Sequence, residues 1–293
     1  MPAPSRTAQT PFAPLPRLHE DSRILVVDKP PGLLVHRTAL DAHEHDSVVD
    51  RLERETGCRP WPVHRLDKGT SGALVLALDA EAARMLGAAF EAGGVAKRYL
   101  ALVRGWPADE GRIDHPLARD PERPSAGQPM RSAVTRFAVR RRFDWPFAVD
   151  ARHPSARYAL IEAVPETGRR HQIRRHLKHI GHPLIGDATH GKGPHNRAVA
   201  AWLGVARLWL HAARIELPHP DDGRALRVDA PPGDAWVRSL GGDDRDQPRA
   251  SDAAPSAADR PGDDARRARR TAQAGTPPRE VSAAAQPASG GGG

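Results

Sequence analysis

Apolar positions along this chain fall in short runs, and the period of each run sets the element it predicts. Ile24-Leu25-Val26-Val27-Asp28 reads as a strand beginning at Arg23 and stopped by Lys29-Pro30-Pro31-Gly32; Leu33-Leu34-Val35-His36 then resumes an extended path. Val48, Val49 and Leu52 lie three and four apart, which predicts a short helix over 47–56 entered from Asp46 and left at Gly57. The unbroken apolar run from Ala73 to Leu78 predicts a strand covered on both faces. Asp79 is a natural N-cap for a helix to Phe90, with Ala82, Met85, Leu86, Ala89 and Phe90 as its stripe and Gly93-Gly94 as its stop.

Further strands are predicted over 95–103, 131–143, 157–164 and 208–217, the last with a hairpin partner at 224–229. The segment 109–130 reads as a strand or two with an exposed loop, and 144–156 as a connection. Ile173, Leu177 and Ile180 recur four and three apart and predict a helix, and a last helical turn contains Trp236 and Leu240. Many strands joined by short loops, with helices between them, indicate a mixed α/β fold: a largely antiparallel sheet with flanking helices.

The ends differ from this pattern. Residues 1–22 are Pro-rich and read as a flexible arm, 23–240 as the folded domain, and 241–293 as a disordered tail, because Asp, Arg, Ala, Pro and Gly without large apolar residues cannot offset the entropy of ordering. That tail holds eight acidic residues and eight arginines, so the formal charge of +8 falls on the part expected to fold and favours a polyanionic partner. The run Arg266 to Arg270 is either a weak RNA-binding block or a solvated one partly cancelled by Asp263 and Asp264. No apolar run is long enough to span a bilayer and no secretory signal is evident; the single cysteine, Cys58, fits a reducing compartment, so a cytoplasmic location is expected.

Candidate chemistry sits in three places. His64-Arg65-Leu66-Asp67-Lys68-Gly69-Thr70-Ser71-Gly72 sets one carboxylate between two cations just before the buried strand, a pattern that also describes an ordinary structural ion pair. Lys97-Arg98-Tyr99 lies on a predicted strand. The third place is the turn and helix from Pro165 to His182. There Arg169, Arg170, Arg174, Arg175 and Lys178 bring five cations against Glu166 alone, so the helix flanks should be positive and suited to phosphates. Histidines concentrate here too, but neighbouring cations disfavour a metal, which leaves RNA contacts or buried hydrogen bonds as their roles. Dinucleotide, P-loop and G-x-S-x-G signatures are absent. A lone Asp among arginines fits a cofactor-free reaction on a nucleic acid.

From about Ile24 to Trp236, His64-Arg65-Leu66-Asp67, Tyr99 and Gly168 to His176 resemble the signatures of the RNA pseudouridine synthases that modify isolated uridines in ribosomal and transfer RNA. The resemblance implies that family's fold with a central catalytic cleft. It also implies breakage of the N1–C1′ bond, rotation of the uracil and formation of a C5–C1′ bond, without metal or cofactor. It assigns catalysis to Asp67, filling of the gap left by a flipped base to Arg65, stacking on that base to Tyr99, and pairing with the carboxylate to Arg174. His64, Leu66 and Ile173 would border the substrate pocket.

An additional N-terminal RNA-binding domain carried by several family members has no room before Ile24. The phrases Val35 to Asp41, Gly186 to Gly191 and His195-Asn196-Arg197 resemble the members that modify a T-stem uridine of tRNA at position 65. This makes tRNA the expected partner, with no obligatory protein partner and a monomer as the working unit. Arg37, Arg169, Arg170, His171, Gln172, Arg175, Lys178, His190, His195, Asn196 and Arg197 are candidate RNA contacts, and several of these could instead brace the loops. A different target RNA, or an RNA-binding module without catalysis, would keep the same basic surface.

Overall fold

The computed structural model describes residues 13–37, 44 and 46–240. Its strands are β1 (Arg17–Glu20), β2 (Ile24–Lys29), β3 (Trp61–Pro62), β4 (Ser71–Ala77), β5 (Ala96–Arg104), β6 (Glu110–Asp114), β7 (Leu117–Ala118), β8 (Met130–Arg131), β9 (Val134–Trp145), β10 (Ala156–Pro165), β11 (Leu210–Pro218) and β12 (Ala225–Asp229). Its helices are α1 (Val48–Thr56), α2 (Ala80–Glu91), α3 (Gln172–His179), α4 (Gly193–Leu203) and α5 (Asp234–Leu240).

Ten strands form one sheet in the order β1-β2-β4-β11-β5-β10-β9-β6, with β12 beside β11 and β3 beside β4; β7 and β8 make a separate hairpin. Every pairing is antiparallel except β4 with β11, where His211 faces Ser71 and Ala212 faces Gly72. A mixed, largely antiparallel sheet is therefore what the alternation predicted. The parallel seam needs Gly72: a Cβ there would stand 2.3 Å from the Ala212 carbonyl oxygen.

Burial follows the period of two. On β2 and β4, Leu25, Val27, Leu74 and Leu76 join Val48, Val49 and Leu52 of α1, while Ile24, Val26, Val75 and Ala77 join Ala82 and Leu86 of α2 on the opposite face. This accounts for the unbroken apolar run in β4, which is buried throughout. In the other half of the sheet, Ala101, Val103, Ile161 and Ala163 pack against Ile173 and Leu177 of α3, and Leu102, Tyr158 and Leu160 lie in the cluster that holds Val199, Trp236 and Leu240. Tyr99 packs against a cluster from each half, at the seam between them.

The structure departs from the expected boundaries in three places. The chain described as an arm already forms β1, because Leu15 is buried and the Pro16 carbonyl accepts from the Asp28 N–H at 2.8 Å, so sheet pairing overrides the Pro-rich composition. Ser47, not Asp46, caps α1, accepting from the Asp50 N–H, while Asp46 binds Arg51 and Arg54. Helix α4 was not expected: among its residues Val199 is buried, so it lacks a stripe, although Pro194 in its first turn and Gly204 at φ 69° at its end are ordinary helix boundaries. The expected tail, with its arginine block, lies outside the described residues, as do Thr38 to Asp41.

Candidate active site

Asp67 lies in the loop that leads from β3 into β4, and two backbone hydrogen bonds and one lysine side chain hold that loop. The Thr70 N–H donates to the Asp67 carbonyl at 3.0 Å, closing a turn, and the Gly32 N–H donates to the Lys68 carbonyl at 2.8 Å. Lys29, at the end of β2, is fully buried and its Nζ donates to the carbonyls of Pro30, Leu33 and Lys68 at 2.8, 2.7 and 3.1 Å. The Lys29-Pro30-Pro31-Gly32 turn thus clamps the Asp67 loop from below. Burial pushes the Lys29 amine down to about 7, opposed in part by the Asp67 charge.

Helix α3 supplies the cation. The Arg174 Nη1 donates to Asp67 Oδ2 at 2.9 Å, while its Nε and Nη2 donate to the two oxygens of Asp187 at 2.7 and 2.8 Å. Burial alone would weaken the Arg174 charge, but the two carboxylates outweigh it and hold the guanidinium above its ordinary range. Burial likewise opposes the Asp187 charge, and Arg174 with the His190 N–H overcomes it, so that carboxyl lies below the usual range. A planar fork between two carboxylates is a geometry lysine cannot reproduce. Asp187 is in turn fixed by the N–H groups of Thr189 and His190, both at 2.9 Å.

The other Asp67 oxygen, Oδ1, lies 3.8 Å from Nε2 of His171. His171 precedes α3 with φ 54°, the one positive φ outside glycine among the described residues, and gives the helix no side-chain cap. Its Nδ1 is 3.2 Å from Nε2 of His190. Tyr99 enters from β5, between Ala163 of β10 and Ala212 of β11, and burial together with the Asp67 charge pushes its phenol upward. The structure thus gathers Asp67, Arg174, Tyr99, His171 and His190 around one point at the centre of the sheet. Leu66 and Ile173 are buried in the clusters on either side. Arg65, two residues before Asp67, is exposed.

Several residues expected to meet substrate make defined contacts within the protein. The His64 Nε2 accepts from the Val75 N–H at 2.9 Å and its ring stacks on Phe90 at 4.8 Å; burial pushes it down to about 3, so it is a neutral brace beneath β4. Gln172 accepts from the Thr167 hydroxyl and the Arg169 N–H and donates to the Val134 carbonyl and Thr135, which fastens α3 to β9. His195 contacts the Tyr158 hydroxyl at 3.0 Å, and Asn196 bridges the Gly186 N–H and the Asp187 carbonyl at 2.9 and 3.0 Å, bracing the loop that carries Asp187.

The positive flank of α3 is also reduced. Arg170 binds Glu122 and Asp120, Arg169 donates to the Ser132 carbonyl, and Arg175 donates to the Ala118 carbonyl at 2.8 Å. Five cations in sequence become one buried pair, three tethered guanidiniums and the exposed Lys178, because their acidic and carbonyl partners come from distant strands and loops. Arg37 pairs with Asp50 at 2.8 Å and stays about half exposed; Arg197 is exposed.

Two positions that hold this site together carried little sequence signal. Lys29 reads as part of a turn, and its burial follows only from the fold. Asp187 lies inside Gly186-Asp187-Ala188-Thr189-His190-Gly191, where glycines at both ends mark a constrained loop: Gly186 has φ 77° and a Cβ there would collide with the Arg207 carbonyl.

The profile of the RNA pseudouridylate synthase family matches residues 23–179, a span that includes Asp67, Tyr99 and Arg174. The chain belongs to that family. It is 39% identical over 231 residues to tRNA pseudouridine synthase C of Pasteurella multocida (strain Pm70), covering 75% of this chain and 92% of that protein. It is also 39% identical over 224 residues to tRNA pseudouridine synthase C of Yersinia pestis, covering 75% of this chain and 87% of that one. Human RNA pseudouridylate synthase domain containing 1 superposes with a TM-score of 0.60 at 25% identity, over 76% of this chain and 86% of its own. Human RNA pseudouridylate synthase domain containing 4 gives 0.57 at 25% identity, over 77% and 91%. The synthase is therefore an isomerase of RNA uridines, with the fold that the sequence resemblance implied. Among the described residues no helix is long and apolar enough to cross a membrane.

Proposed function

We propose that this synthase converts the uridine at position 65 in the T stem of tRNA to pseudouridine, with Asp67 as the essential group and without metal or cofactor. The observation that carries this reading is the Asp67 carboxylate itself: one oxygen is fixed by Arg174 and the other stands 3.8 Å from the His171 ring. The names of its bacterial relatives support tRNA as the substrate class. The T-stem position rests on the loop phrases around Arg37, His190 and His195.

A uridine in a stem must leave the stack before C1′ can reach a carboxylate, at a cost of a few kcal/mol. Exposed Arg65 is free to fill the vacated place, and the Tyr99 ring can return about 1 to 3 kcal/mol by stacking. Asp67 then acts at the sugar, either by forming an ester at C1′ or by taking the C2′ proton to give a glycal. The N1–C1′ bond breaks, the uracil turns, and its C5 bonds to C1′. Arg174 holds the carboxylate in position while RNA closes the cleft. Lys178, Arg197 and Arg37 remain the side chains open to phosphate. The protein acts in the cytoplasm as a monomer.

Site-resolved pseudouridine mapping on unmodified tRNA tests this. Conversion at position 65 by the wild-type protein and none by Asp67→Ala is the expected result. Conversion at another tRNA or ribosomal RNA site would discard the target and keep the mechanism. Binding without conversion at any uridine would make the protein an RNA-binding module.

A further inference from the structure

The isomerisation leaves one step without an assigned residue. Once C5 has bonded to C1′, the C5–H bond must break and its electron pair must restore the C5–C6 double bond. Because C5 is then attached to the carbon beside Asp67, its proton departs next to that carboxylate, and the base that takes it must border Asp67.

Few groups there can serve. The Lys29 Nζ is below the loop and directed to three carbonyls. Arg174 is a cation held by two carboxylates. Tyr99 is buried and retains its phenolic proton. His171 is different: its Nε2 stands 3.8 Å from Asp67 Oδ1, beside the carboxylate but beyond hydrogen-bond distance of it. Its Nδ1 is within 3.2 Å of His190 Nε2, and a proton on Nδ1 donated to His190 leaves Nε2 unprotonated on the substrate side. The left-handed backbone of His171 sets the ring here instead of over the start of α3.

Resting on the function proposed above, we infer that His171 is the general base that removes the C5 proton, and that His190 is a positioning residue that fixes its tautomer. The proton passes from C5 to Nε2, giving an imidazolium between Asp67 and His190; it is then released to solvent, and N1 of the product takes a proton from solvent. The charged groups facing His171 are Asp67 from the loop before β4, Arg170 and Arg174 from the turn and helix around it, and Asp187 from the following loop; Lys178 also faces His190. Burial and the arginines keep the His171 ring below the ordinary imidazole range and hence neutral, ready to accept.

The test uses single-turnover conversion of tRNA transcripts made with ordinary or 5-deuterated uridine. His171→Gly suits the left-handed backbone and empties the space of the ring, and tRNA affinity and thermal melting are measured alongside. The expected result is a fall in rate of about 10²–10⁴, with a C5 isotope effect that the wild-type protein lacks and a rate restored by free imidazole. His190→Phe should slow the reaction less, reveal the same isotope effect without imidazole rescue, and move the acid limb of the rate profile to lower pH. An unchanged rate, or a slow His171→Gly protein with neither isotope effect nor rescue, would overturn the assignment and leave the proton to Asp67. Failure of the wild-type protein to convert any uridine would instead refute the underlying function.

Discussion

Two cations are buried beside the Asp67 loop, and they are compensated in opposite ways. Arg174 lies between two carboxylates that bind it directly and strengthen its charge, whereas Lys29 donates to three neutral carbonyls and the charges of Asp67 and Asp28 only partly offset the burial that weakens its own. Carboxylates supply a full opposite charge, and carbonyls supply only dipoles, so the first arrangement fixes an ion and the second leaves one that can titrate. The Arg174 side is therefore the part suited to positioning the Asp67 carboxylate. The Lys29 side fixes the backbone that presents it.

The strongest way to break this contrast is Arg174→Met. It strands Asp187 in the interior and frees Asp67, and should cost roughly 3–5 kcal/mol in denaturant unfolding along with loss of uridine conversion. Arg174→Lys should keep part of the stability and little of the activity, since it cannot reach both carboxylates. If Arg174→Met is as stable as wild type, the buried pair is not what holds α3 to the loop.

Asp187→Asn removes one of the two charges and keeps the shape. It should destabilise less than Arg174→Met, and the Arg174→Met/Asp187→Asn double variant should lose less than the sum of the two, because each residue answers the other. Additive losses in a double-mutant cycle would mean that Asp187 is held mainly by the Thr189 and His190 N–H groups.

Lys29→Met should cost about 1–3 kcal/mol by leaving buried carbonyls without a donor. Its pH dependence sharpens the comparison further. Lys29 is lowered from 10.5 to about 7 in the folded protein, so between those values the unfolded chain binds the extra proton. The Lys29 contribution to stability is then fully present only above 10.5 and is lost as pH falls through 7. Relative to Lys29→Met, the wild-type protein should therefore gain stability from pH 7 to 9; a flat difference would mean that the carbonyls hold a permanent ammonium.

Arg65→Ala should have the smallest structural effect, within about 0.5 kcal/mol, as expected for an exposed side chain. Its effect should appear in conversion of stem-bound uridine and be smaller on an unstructured RNA. Equal losses on both substrates would exclude a role in filling the vacated stack.

Much of the fold was legible because burial enforces period. The unbroken run in β4 and the stripes of α1 and α2 report their neighbours directly, since each apolar residue there faces a core. Helix α4 was not legible because one turn-spaced apolar stripe is missing, and β1 was hidden because its pairing partner, not its composition, orders it. In the site, Asp67, Tyr99 and Arg174 stood out through motif likeness, and the structure brings them together. His64, Gln172 and Asn196 stood beside the same motifs, yet their hydrogen bonds run to the backbone of β4, β9 and the Asp187 loop.

The sequence by itself determined the family, the alternating strands and the motifs in which Asp67 and Arg174 stand, since those depend on residue type and local spacing. The tertiary structure decided which charges are free. Lys29 is neighbour to the Asp67 loop across 39 positions of chain and Arg174 to Asp67 across 107, and of the five cations around α3 only their distant partners determine which is buried, tethered or open. Electrostatic roles depend on distance and burial in space, and these come only with the folded sheet.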